Sequence, residues 1–169
     1  GGERELIGDV DQSVDHSGAL TAVLPRLCAA AIAGSITTVG HRVVHGGELY
    51  VAPTALDDHV VDGLRALIPL APLHNPANLA GIDAARALLP DAVHVAVFDT
   101  GFHATLPPAA KTYALPVEVS ERHGLRRYGF HGTSHQWVAQ RAADWLISDL
   151  RDLRVVTCHL GNGASLCAV

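Results

Sequence analysis

No methionine occurs anywhere in the chain. The residue that starts translation is therefore missing, and the 169 residues read as part of a longer polypeptide that stops inside a strand at Cys167-Ala168-Val169. Cysteine is nearly as scarce. Cys28, Cys158 and Cys167 are too few, and odd in number, for a disulfide framework, which points to a reducing cytoplasm. Positive charge is not in excess: the formal net charge is −5, which argues against a nucleic-acid partner held by bulk electrostatics. There is no long basic run, and the local pair Arg126-Arg127 suits a small anion better. No apolar segment is long enough to span a membrane, and no signal peptide is visible. Internal repeats and low-complexity tracts are missing too. What remains is 49% hydrophobic, enough for a sizeable core without staples.

Polar chemistry is concentrated in Arg126-Arg127-Tyr128-Gly129-Phe130-His131-Gly132-Thr133-Ser134-His135. Two cations, two imidazoles, two hydroxyls and two glycines precede the amphipathic run Gln136 to Leu146. Thr133 or Ser134 suits the N-cap of a helix, and a helix mouth beside Arg and His favours an anion, most often a phosphate. A second cluster, Cys158-His159-Leu160-Gly161-Asn162-Gly163-Ala164-Ser165, reads as strand, tight turn, strand. Its Asn-Gly suggests a type I′ hairpin.

Helical spacing covers Asp15–Ile32, with Pro25 inside it. Thr37–Val44 is β-branched and reads as a buried strand. Asp57–Leu67 is a helix stopped by Pro69 and Pro72, and Pro76–Leu89 a helix with Asn75 as N-cap. Val93–Phe98 is a strand ending at Asp99. Leu106–Lys111 reads as a loop or short helix, Thr112–Leu115 as extended, and Ser120–His123 as a helical turn closed by Gly124. A helix over His135–Leu150, interrupted near Ser148-Asp149, leads to a hairpin of Arg154–Leu160 and Ala164–Val169. The alternation predicts an α/β architecture.

Five blocks together resemble the acetate and propionate kinase family of the sugar kinase/Hsp70/actin superfamily. The first three are Gly40-His41-Arg42-Val43-Val44-His45-Gly46-Gly47, Ala71-Pro72-Leu73-His74-Asn75-Pro76-Ala77-Asn78 and Val97-Phe98-Asp99-Thr100-Gly101-Phe102-His103. The two polar clusters above complete the set, in family order. The resemblance implies a ribonuclease H-like fold of two related domains around a cleft. Residues 1–100 would be the C-terminal part of the first domain and residues 101–169 the N-terminal part of the second.

It also implies phosphoryl transfer between ATP and acetate, with propionate, or a nucleotide-binding relative without activity, as the alternatives. His131 would contact the phosphoryl group in the transition state, and Arg42 would stabilise the same group. Val44 and Leu73 would line a pocket for the substrate methyl. Asp99 carries an essential role, holding Mg²⁺ through water or orienting a cation. His159, Leu160, Gly161, Asn162 and Gly163 would meet the nucleotide phosphates. Mg²⁺ or Mn²⁺ is the expected cofactor, with its ligands outside this stretch, and a homodimer the expected assembly. Without those parts the isolated chain is expected to be inactive. Read on spacing alone, each residue has a plainer alternative: a helix-capping His131, a structural ion pair for Arg42, core positions for Val44 and Leu73, a turn at Asn162. The pairs His41/His45 and His131/His135 raise a zinc hydrolase as a rival, weakened because four residues along a strand is too far to chelate.

Overall fold

The computed structural model of the chain describes residues 18–19, 21–23 and 36–169. The helix expected over Asp15–Ile32 falls mostly outside these; residues 18–19 and 21–23 are helical. The elements are β1 (Thr38–Val43), β2 (Thr54–Ala55), α1 (Asp58–Ala66), α2 (Asn75–Leu88), β3 (Val93–Phe98), α3 (Pro108–Lys111), α4 (Val117–His123), α5 (Gly132–Leu146), β4 (Val156–Leu160) and β5 (Ala164–Ala168). The architecture is mixed α/β, as the alternation predicts. Three strands form a sheet in the order β1-β3-β2, and β4 pairs with β5. Thr37 O accepts from Val93 N and Val43 O from Asp99 N, so β1 and β3 advance together and run parallel. The chain clusters into two compact units. One takes the described residues up to His41 with Ala55–Ala96, the other Arg42–Thr54 with Val97–Val169.

In the first unit Asp57 caps α1, its carboxylate accepting from Val60 N at 2.8 Å. The helix buries Val61 and Leu64 and packs on α2, which buries Leu79, Ile82 and Ala85. Each large aliphatic side chain so buried stabilises by about 1.5–3 kcal/mol before entropy is counted. Arg65 bonds both Asp62 and Asp83 across the exposed side of the pair. Asn75 opens α2 and does not cap it; the cap position is His74, with no side-chain bond, and Asn75 is buried.

In the second unit the hairpin of β4 and β5 packs against α5. Gly132, His135, Ala139 and Ala143 make the buried stripe of that helix, three to four residues apart as one helical face requires. Small residues on this stripe bring the helix axis close to the hairpin. Several expectations change here. The helix begins at Gly132, with His131 in the cap position, so Thr133 and Ser134 lie in its first turn. Their hydroxyls are engaged elsewhere: Thr133 donates to Asp99, and Ser134 meets His159 Nδ1. The helix ends at Leu146, with Leu150–Asp152 a separate 3₁₀ turn. The hairpin turn is a three-residue loop closed by Gly161 N to Gly163 O at 3.1 Å, and Leu160 pairs with Ala164. None of residues 161–163 adopts the left-handed backbone that a type I′ turn needs. Thr112, expected to be extended, has extended backbone, and the turn expected at Ser120–His123 is a longer helix, α4, closed by left-handed Gly124.

Candidate active site

Asp99 follows directly on β3 and is fully buried. A buried carboxylate is costly unless its oxygens are bonded, and here both are. Arg42, at the end of β1, donates from Nε to Oδ1 at 3.0 Å and from Nη2 to Oδ2 at 2.5 Å. Thr133 donates its hydroxyl to Oδ1 at 2.8 Å. The pair lies at adjacent strand ends because β1 and β3 are parallel neighbours, the position where α/β sheets present ligand-binding groups. The carboxylate raises the pKa of Arg42 through that bond. The guanidinium side chain remains 58% exposed, so one end of the fork is held while the rest faces out. Asp99 therefore holds the Arg42 guanidinium through both of its oxygens.

The loop before α5 is drawn tightly onto this strand end. Gly132 N donates to Asp99 O at 3.0 Å, and a Cβ on Gly132 would stand 2.1 Å from that same oxygen. Gly129 has φ 76°, and a Cβ there would strike the His103 ring at 2.5 Å. His103, buried, donates from Nε2 to Phe130 O at 3.0 Å and pins the loop from the other side. Between the glycines His131 is left-handed, with φ 56° and ψ 23°. Such a backbone costs a non-glycine residue about 1–2 kcal/mol. His131 is thus held in a sparsely populated conformation between two close backbone approaches.

The His131 ring stacks on His159 at 4.0 Å. Its Nδ1 meets Ser165 Oγ at 2.8 Å, and Ser165 Oγ also meets His135 Nε2 at 2.8 Å. The Nε2 edge of His131 faces Gly163, where a Cβ would approach it to 3.2 Å. Burial holds the His131 pKa below the ordinary histidine value, His159 and Arg42 push the same way, and Asp99 opposes them. His159 Nδ1 lies 3.0 Å from Ser134 Oγ, tying β4 to the first turn of α5.

Arg42, Asp99, His131, His159 and the Gly161–Gly163 turn thus share the second unit. Leu160 lies beside the turn with its side chain exposed. Val44, half-buried, follows β1 in that unit; Leu73, exposed, belongs to the first. The Arg126-Arg127 pair does not line the helix mouth as expected. Arg126 bonds Glu48 and lies over Tyr128, while Arg127 lies over Tyr113. His41 bonds His94 at 2.9 Å in the first unit, and His45 Nδ1 accepts from Gly47 N in the second, so these two histidines have separate local roles. Among the described residues no three His, Cys, Asp or Glu are grouped to hold a metal, and no helix is long and apolar enough to cross a membrane.

Sequence reasoning missed Thr133 as a partner of Asp99, and it missed Ser165, His135, Thr157 and His103 as the frame of His131. One signal was available. In the hairpin register His159 opposes Ser165 and Thr157 opposes Cys167, so these polar residues alternate onto one face. That face meets a helix carrying histidines four residues apart.

The family model described as the Acetokinase family matches residues 3–169. The chain is 51% identical over 168 residues to acetate kinase 2 of Listeria monocytogenes serotype 4b, covering 98% of this chain and 42% of that protein. The crystal structure of acetate kinase from Porphyromonas gingivalis superposes with a TM-score of 0.83 at 44% identity, over 92% of this chain and 40% of its own. That of a propionate kinase from Francisella tularensis also gives 0.83, at 38% identity, over 90% and 39%. The chain spans about two-fifths of the length of these relatives.

Proposed function

This chain belongs to the Acetokinase family, and on that premise we propose that it is part of an enzyme that phosphorylates acetate with ATP and runs the reverse reaction. The observation that carries this reading is the Arg42–Asp99–Thr133 cluster beside a strained His131 whose Nε2 faces a glycine turn. An acetate oxygen attacks the γ-phosphorus in line with the bridge to the β-phosphate. The new P–O bond forms as the bridging bond breaks, and ADP leaves with the electron pair. Acetate is already ionised at pH 7, so no general base is needed. The protein supplies position and charge instead.

Arg42 donates to the acetate carboxylate and to the oxygens of the moving phosphoryl group, and Asp99 holds its fork in place. His131 donates from Nε2 to the same equatorial oxygens. His159, Leu160, Gly161, Asn162 and Gly163 meet the nucleotide phosphates through backbone N–H groups. Val44 meets the methyl group. In the complete enzyme residues 1–100 belong to the first domain and 101–169 to the second. Mg²⁺, or Mn²⁺, would neutralise the nucleotide phosphates from ligands outside this chain. The described residues offer it no cage, since Asp99 is taken up by Arg42 and Thr133. The assembly is a homodimer in the cytoplasm. Propionate is the second acceptor to weigh, because a propionate kinase is among the structural neighbours; one methylene changes binding by only about 1–3 kcal/mol.

Steady-state kinetics of His131→Ala and His131→Gln in the complete enzyme test the reading. A donor used mainly in the transition state affects kcat more than KM. His131→Ala is expected to lower kcat on the order of 10²-fold or more, with smaller changes in KM for ATP and acetate. His131→Gln, which keeps a donor, retains more activity. A folded His131→Ala enzyme with wild-type turnover would reduce His131 to a capping residue.

A further inference from the structure

Behind His131 runs a chain of three side chains, Thr157, His135 and Ser165, that the phosphoryl-transfer chemistry does not itself use. Thr157 Oγ1 lies 3.4 Å from Cys167 O and 2.7 Å from His135 Nδ1. His135 Nε2 lies 2.8 Å from Ser165 Oγ, which lies 2.8 Å from His131 Nδ1. Each hydroxyl has one proton to give. A carbonyl only accepts, so a bond from Thr157 to Cys167 O leaves Thr157 to accept from His135, and this arrangement puts the His135 proton on Nδ1. His135 is buried, and burial favours its neutral form, so its Nε2 is a lone pair. Ser165 donates to that lone pair and must accept from His131 Nδ1.

We propose that Ser165 and His135 are positioning residues that fix the tautomer of His131, keeping a proton on Nδ1 and leaving Nε2 as the nitrogen that gains and loses one. The assignment rests on the phosphoryl-transfer reading for its consequence. Neutral His131 then turns a lone pair toward the glycine turn and repels a phosphoryl oxygen; only the imidazolium presents N–H there. The groups facing His131 are His159 from β4, Asp99 from the end of β3, Arg42 from β1, His103 from the turn after β3 and His135 from its own helix. Of these Asp99 alone favours the charged ring, and an anionic phosphoryl group adds to it. Turnover therefore falls as pH rises through the pKa of His131 in the complex.

The test is the pH profile of kcat in the complete enzyme for the parent, Ser165→Ala, Ser165→Thr and His131→Ala. Ser165→Ala unties Nδ1, so a neutral ring can put its proton on Nε2. It is expected to lower kcat at neutral pH about tenfold through misplacement of the ring, with KM for ATP and acetate within about twofold. Its alkaline fall becomes shallower, and Ser165→Thr restores both rate and profile. In the parent, two-bond ¹H–¹⁵N spectra above the His131 titration show the Nδ1–H tautomer. Parental rate and profile in Ser165→Ala, with His131→Ala inactive, overturn the relay and leave the kinase reading standing. Full activity in His131→Ala overturns the kinase role of His131 instead. Should Ser165→Ala fail to fold, the parent spectra decide, and an Nε2–H tautomer overturns the proposal.

Discussion

Replacing Arg42 with alanine separates two contributions that the same side chain makes. The first is structural. Arg42→Ala leaves the Asp99 carboxylate, 1% exposed, with Thr133 as its remaining side-chain donor. Breaking a fully buried pair costs about 3–5 kcal/mol. Arg42 is more than half exposed, so water can take its place beside the carboxylate, and a loss of about 1–3 kcal/mol is the proper scale. The second is kinetic. A donor aimed at developing charge is worth about 2–4 kcal/mol, on the order of 10²–10³ in rate. Arg42→Ala is therefore expected to lower kcat by that factor, to raise KM for acetate and to lower the melting temperature modestly. Arg42→Lys recovers only part, because one ammonium cannot meet both Asp99 oxygens and a ligand as a planar fork does. The assay is steady-state kinetics of the complete enzyme with each variant, alongside thermal unfolding. Asp99→Asn adds the decisive comparison. If Asp99 acts through Arg42, the double variant loses little more than the worse single one. Fully additive losses would show that Asp99 has its own task at the reacting atoms. Parental kcat and acetate KM in Arg42→Ala would reduce Arg42 to a structural ion pair.

Much of the fold was legible because its signals are local. Val93–Phe98 reads as a strand from its β-branched residues, and the Gly132–Leu146 helix from its amphipathic run. Gly124 marks a helix end because a left-handed residue is needed there. The candidate residues were legible too, since Asp99 at a strand end carries charge where charge is costly and Arg42 lies in a strand read as buried, although β1 buries only Val43. Their pairing was not. The partners stand 57 residues apart and meet only through the parallel register of β1 and β3, which no local pattern encodes. The cap at His131 was offered only as the plainer alternative, behind Thr133 and Ser134, for a related reason. Thr133 and Ser134 are the better capping residues by propensity, but tertiary partners claim both hydroxyls, and the cap passes to a strained histidine. Cys158 opposes Leu166 while Cys167 opposes Thr157, so the two thiols lie on opposite faces of the hairpin, both free.

Two backbone predictions complete the set. Ile147 ends α5 with φ 53° while its side chain is 94% exposed, so Ile147→Gly relieves strain without giving up burial. It is expected to stabilise by about 0.5–1 kcal/mol, read as a shifted urea midpoint at constant slope; an unmoved midpoint refutes the strain. Gly132→Ala tests the close approach that seats His131. The new Cβ would stand 2.1 Å from Asp99 O and 2.8 Å from the Phe102 side chain. The first obstacle is backbone, which has no rotamer by which to move aside, so the start of α5 must shift away from β3. Overpacking of this kind costs about 1–3 kcal/mol, and the shift carries His131 with it. The variant is expected to lose both stability and kcat. Gly81→Ala is the control, because Gly81 sits inside α2 with nothing within 4 Å of a Cβ. There alanine gains about 0.5–1 kcal/mol from the reduced freedom of the unfolded chain. Urea unfolding and kinetics on both variants measure the contrast. If Gly132→Ala keeps parental stability and turnover while Gly81→Ala behaves as expected, the loop has slack at Asp99 and the seating of His131 does not depend on that glycine.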